Sequence, residues 1–156
     1  MNQLTVTCPI PPRALHPNAR PHWAAKAKAA KQARHDAMCC ALEATGNHRP
    51  NWPAAVCHIR WYARDKRGLA LDRDNIIAAT KAARDGLTDA GIWTDDNGVR
   101  IGEVTIEVDR ASPRVELVVE RADEPTMPRK ARQIPRVASE PPPASIPTCT
   151  NREGAV

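Results

Sequence analysis

This chain of 156 residues contains no phenylalanine, and four tryptophans with one tyrosine supply all its aromatic rings. Its core therefore has to be built mainly from Ala, Val, Ile and Leu, within an apolar share of 42%. Small and branched aliphatics of this kind suit helices packed on a sheet. The length matches one domain of ordinary size and is too short for two domains plus linkers. No apolar run approaches the roughly 18 residues of a membrane span. The opening MNQLTVTCPIPP lacks the basic and apolar regions of a signal peptide. The expectation is a cytoplasmic protein without a membrane partner. Five cysteines, odd in number and without a CxxC pair, read as reduced thiols rather than a disulfide framework. The five histidines show no zinc-type spacing.

Charge divides along the chain. Residues 1–71 carry eleven Lys or Arg against three acids, and residues 72–121 carry seven against eleven. A basic half joined to an acid-rich half suits a chain that grips a polyanion and holds cations beside it; a merely solvated charged face is the plain alternative. From residue 122 onward the composition shifts, with seven prolines including Pro141-Pro142-Pro143. Such a segment cannot bury enough surface to offset its ordering entropy. We therefore divide the chain into a domain over 1–121 and a disordered Pro-rich tail over 122–156.

Within the domain, Leu4, Val6, Cys8 and Ile10 alternate with polar residues and predict a strand over 4–10. A turn-rich loop, PPRALHPNARPHW, precedes an alanine-rich helix over 22–44 that stops near Gly46. Lys26, Lys28, Lys31 and Arg34 lie on its early turns, where cations oppose the helix dipole. Phosphate contact and ordinary solvation explain them equally well. Residues 54–64 predict a second strand, a helix runs from an Asp74 cap to about Ala90, and residues 99–109 and 114–121 predict two more strands. The fold class is α+β, a small mixed or antiparallel sheet with two main helices.

The strongest local signal is Asp72-Arg73-Asp74-Asn75 at a strand-to-helix junction, followed beyond the helix by Asp95-Asp96-Asn97-Gly98. Residues two apart in extended chain share a side, so Asp72 and Asp74 can converge on one ion. Clustered carboxylates favour Mg²⁺ or Mn²⁺ over zinc, and a cation relieves their mutual repulsion. Against this, Asp74 can simply cap the helix and Asp95-Asp96-Asn97-Gly98 can simply form a turn. Lys81 shares a helical stripe with Asp74, Ala78 and Asp85, so it can face a bound phosphate or pair with Asp85.

The run LDRDNIIAATKAARDGLTDAGIWTDD, residues 71–96, resembles the RusA-type Holliday junction resolvases, which show a D-x-D-N motif opening a helix, a lysine within it and a downstream aspartate pair. The resemblance extends over about residues 1–121. It implies a homodimeric, Mg²⁺-dependent endonuclease, with Mn²⁺ as a substitute, that nicks four-way DNA junctions symmetrically. It further implies a bacterial cytoplasm and a phage or prophage origin. Carried over by position, Asp72, Asp74 and Asp96 match the metal-binding and catalytic carboxylates, Asp95 the auxiliary one, and Lys81 the catalytic lysine. The chain departs from the pattern in one spacing: Lys81 follows Asp74 by seven residues rather than four, and Ala78 holds the fourth position. The expected DNA contacts are Lys26, Lys28, Lys31, Arg34, Arg60, Arg64, Lys66, Arg67 and Arg73. Two other readings remain open, a less selective nuclease of flaps and branched DNA and a branched-DNA-binding protein that cuts nothing.

Overall fold

The computed structural model describes residues 2–122, so the tail expected from residue 122 lies, after its first residue, outside the described residues. Strand β1 (Gln3–Cys8) is followed by a 3₁₀ turn at Arg13–Leu15, helix α1 (Trp23–Thr45) and strand β2 (Ala55–Ala63). A second 3₁₀ turn (Lys66–Ala70) leads into helices α2 (Arg73–Ala79) and α3 (Lys81–Asp89). A third (Asp96–Gly98) leads into strands β3 (Val99–Val108) and β4 (Arg114–Arg121). The four strands form one mixed sheet in the order β1-β4-β2-β3. β4 lies antiparallel between β1 and β2, whereas β2 and β3 are parallel. A parallel pair needs a long crossover, and α2 with α3 supplies it.

Strict alternation does what the pattern predicts. Leu4, Val6 and Cys8 of β1 and Ala55, Cys57, Ile59, Trp61 and Ala63 of β2 are buried, while their neighbours face outward. The inward set meets Ala37 and Ala41 of α1, Ile76 of α2 and Ala83 and Leu87 of α3 in one core. Three tryptophans, Trp52, Trp61 and Trp93, add bulk at 4%, 3% and 2% exposure. The Trp93 indole is satisfied by donating to Thr88 Oγ1 at 2.7 Å. Among the described residues, the opposite face of the sheet carries no helix residue of this core. It presents Arg60, Tyr62, Arg114 and Glu116, with the Arg114 guanidinium 3.9 Å above the Tyr62 ring.

The expected single helix over 74–90 is two helices, so the domain has three rather than two. The division falls at Thr80 (φ −85, ψ 0), which is fully buried. Its hydroxyl donates back to the carbonyls of Ile76 (2.9 Å) and Ile77 (3.2 Å), a local bond that competes with regular helix and bends it. Arg84 Nη2 also donates to the Ile77 carbonyl at 3.0 Å. The stripe Ile76, Thr80, Ala83, Leu87 and Ala90 nevertheless faces the core along its whole length. Gly46 (φ +60) and Gly91 (φ +73) end α1 and the α2–α3 crossover in left-handed backbone that only glycine adopts freely.

β3, at the sheet edge, carries one extra residue between Ile101 and Val104 opposite Cys57–Ile59. The His58 ring fills this bulge, with Nδ1 accepting from the Glu103 backbone N–H at 3.0 Å. No helix among the described residues is long and apolar enough to cross a membrane.

Candidate functional site

Helix α2 opens on the acidic motif, but two residues earlier than expected for an Asp74 cap. Asp72 holds the capping position (φ −73, ψ 142) without a side-chain capping bond, and Asp74 lies in the first turn. A carboxylate is favoured there by the helix dipole. Both are exposed. Between them Arg73 reaches the sheet, with Nη2 donating to the Gly102 carbonyl at 3.4 Å. Gly102 lies three residues into β3, about 10 Å along the strand from Val99 at its start.

The second acidic pair delivers the chain to that same strand. Asp95 Oδ1 accepts from the Asn97 backbone N–H at 3.1 Å, and its two oxygens accept from Asn97 Nδ2 at 3.0 and 2.9 Å. Asp95 thereby builds the turn that its composition suggests. Asp96 is exposed as the first residue of the 3₁₀ turn. All four aspartates are hard oxygen donors of the type that Mg²⁺ and Mn²⁺ take. Among the described residues, however, no group of three or more His, Cys, Asp or Glu is arranged to hold a metal ion. The donor type fits such an ion; the arrangement is not a preformed cage.

What the fold does assemble beside the motif is a basic, partly apolar groove. A cavity of about 320 Å³ is lined by Arg13, His16, Pro17, Asn18, Ala19, Leu71 and Asn75. It thus joins the loop after β1 to the start of α2. Burial, with Arg13 adding to it, lowers the pKa of His16, so its imidazole is neutral at pH 7. The ring is held edge-on against Trp61, with centroids 5.9 Å apart. A second cavity of about 340 Å³ shares Pro17 and continues between α1 and the crossover helices, where Lys26 and Ala30 face Ala78, Lys81 and Asp85. Lys81 donates to Asp85 at 3.0 Å, the i,i+4 pair anticipated from spacing.

The expected DNA contacts lie on α1, on β2, in the turn after β2 and at the start of α2. Lys26, Lys28 and Lys31 are exposed along α1, and only Lys26 lines the groove. Arg34 is engaged by both oxygens of Asp89, at 2.5 and 2.6 Å, which ties α1 to α3. Arg60 points from the helix-free face of the sheet into a small cavity with His58, Glu103 and Glu120. Arg64, Lys66 and Arg67 are exposed in the turn after β2. Conversely, Arg13, His16 and Asn18 were not among the residues expected at the site. Their only signal was polar and basic residues in a proline-rich loop, a segment type that carries function more often than its length suggests.

No family model matches the chain. It is 38% identical over 88 residues to an uncharacterized protein of Xylella fastidiosa (strain Temecula1), covering 55% of this chain and 56% of that one. The chain therefore aligns with little more than half the length of that relative.

Proposed function

We propose that this protein is a divalent-metal-dependent endodeoxyribonuclease that acts on branched DNA and resolves four-way junctions by paired, symmetric nicks as a homodimer in a bacterial cytoplasm. One observation supports the reading: two cavities that share Pro17 are lined by Arg13 and His16 in the first and by Lys26 and Lys81 in the second, and Asn75 of the D-x-D-N helix start also lines the first. Carboxylates that can take a divalent ion, with basic side chains on neighbouring elements, are what a phosphodiester in a nuclease site meets. Asp72, Asp74 and Asp96 are the carboxylates that would hold Mg²⁺ or Mn²⁺, with Asp95 auxiliary. The ion, when bound, supplies a water of lowered pKa and charge neutralisation. The chain's own contribution is positional. Arg13 and Lys26 engage backbone phosphates, neutral His16 offers a hydrogen bond without added charge, and Lys81 stands one turn beyond Ala78 with its ammonium restrained by Asp85.

The test is incubation of a synthetic four-way junction with Mg²⁺ or Mn²⁺, beside an Asp74→Asn variant and a linear duplex. The expected result is paired nicks that vanish in the variant and spare the duplex. A junction bound in EDTA but uncut with either metal would overturn the catalytic claim. It would favour the second reading, a branched-DNA-binding protein without cleavage. That reading draws on two observations: no ion-holding trio exists among the described residues, and Lys81 is already paired.

A further inference from the structure

Trp23 is the first residue of α1 and is 76% exposed, in sharp contrast to the three other tryptophans. Its setting is ordered. The preceding His22 caps the helix, its Nδ1 accepting from the Ala24 backbone N–H at 3.3 Å, and its ring lies 5.6 Å from the indole at 38°. The backbone thus holds one aromatic ring beside the other. Arg20 and Lys26, three residues to either side of Trp23 in the chain, are exposed, and the first turn of α1 holds no acid. At ~100° per residue, Trp23, Lys26 and Ala30 share one helical stripe. Lys26 and Ala30 of that stripe line the groove that continues to Lys81. Trp23 therefore stands at the outer end of the groove wall.

From this placement we infer that Trp23 is a stacking platform for a nucleobase exposed at a DNA branch point or strand end. An aromatic ring set in a basic track is the device by which proteins hold unpaired nucleotides. Intact duplex hides both faces of every internal base within the stack, so the indole finds a partner only where stacking is interrupted. The groove cations hold phosphates of any sequence; Trp23 adds preference for discontinuity. The inference rests on the branched-DNA part of the proposed function and is independent of cleavage.

Because Trp52, Trp61 and Trp93 are buried, acrylamide quenching of the intrinsic fluorescence reports chiefly on Trp23. The experiment uses the full chain in EDTA with a four-way junction, a single strand and a blunt duplex, and compares wild type with Trp23→Ala and Trp23→Phe. Junction and single strand should protect the quenchable tryptophan, and duplex should not. Trp23→Ala should weaken junction binding by about tenfold or more, as loss of one base–aromatic stack does. Trp23→Phe should recover most of it, and both variants should keep the wild-type melting temperature. Equal junction affinity for wild type and Trp23→Ala, with quenching unchanged by DNA, would overturn the platform while leaving the branched-DNA reading intact. Failure of wild type to bind any DNA would overturn both. Protection that grows with protein concentration alone would assign the ring to a contact between copies, and would likewise overturn it.

Discussion

Replacing Gly86 by alanine tests the packing that sets the groove's width. Gly86 lies inside α3 and is buried. In an exposed helix the change would stabilise by about 1 kcal/mol, because glycine is the poorer helix former. Here a Cβ would stand 2.2 Å from the Arg34 carbonyl oxygen, 3.0 Å from the Met38 backbone nitrogen and 3.1 Å from Ala37 Cβ. The first two are backbone atoms of α1 and cannot rotate away, so the helices must part by about 1 Å. Overpacking of this kind costs about 1–3 kcal/mol, occasionally more. The separation also strains the Arg34–Asp89 bridge that joins the same two helices. A net loss of about 2 kcal/mol is expected, a fall of roughly 10 °C in melting temperature for a domain of this size. Urea unfolding of Gly86→Ala beside Gly46→Ala gives the measurement. Nothing lies within 4 Å of a Cβ at Gly46, so that variant bears only the cost of its positive φ. A Gly86→Ala protein as stable as wild type, or more so, would show that α1 and α3 do not approach as described.

Two further outcomes follow from titratable groups. The Arg34 guanidinium holds the Asp89 carboxyl below the ordinary carboxylate range, so the pair's stabilisation is fully present above about pH 5 and is lost as pH falls through the folded-state value. Being largely exposed and screened by solvent, the bridge contributes little. Asp89→Asn should flatten the acid limb of the stability–pH curve and leave it unchanged in high salt; an identical acid limb would count against the bridge. Burial pushes the thiols of Cys8 and Cys57 up to about 12, and neither lies at the surface, whereas Cys39 does. In a Cys149→Ser background, alkylation at pH 8 should modify Cys39 rapidly and reach Cys8 and Cys57 only on unfolding, as peptide mapping after a timed quench would show. Modification of Cys57 in the native protein would contradict the core as drawn.

β1 and β2 were legible because each buries alternate residues, and a two-residue period then writes the sheet's two faces directly into the chain. The core face of the crossover was legible for the same reason, and so was the Lys81–Asp85 pair, a contact within one helical turn. Thr80 was not. Its hydroxyl returns to the Ile76 and Ile77 carbonyls, which breaks one helix into two without disturbing the apolar stripe, so periodicity alone reports a continuous helix. Arg34 illustrates a second limit. On sequence it belongs with the lysines of α1, but its partner Asp89 lies 55 residues away and appears only when α3 is laid against α1.

The acidic motif marks where composition stops and geometry must take over. Spacing states that Asp72, Asp74, Asp95 and Asp96 occur in two tight pairs; it does not state how far a parallel crossover carries one pair from the other. The crossover enters α2 at the first pair and leaves for β3 at the second, and the Arg73 side chain reaches from the first pair's segment to Gly102 of that strand. The loop after β1 adds what no motif announced. It brings Arg13, His16 and Asn18 to the start of α2 because Leu15 is buried and draws the loop onto the domain. A loop pinned by Pro11 and Leu15 presents its polar neighbours at a defined place, and periodicity cannot register two isolated anchors. The consequence is that Arg13, rather than the more numerous lysines of α1, lines one cavity with Leu71 and Asn75, the residues that flank Asp72 and Asp74.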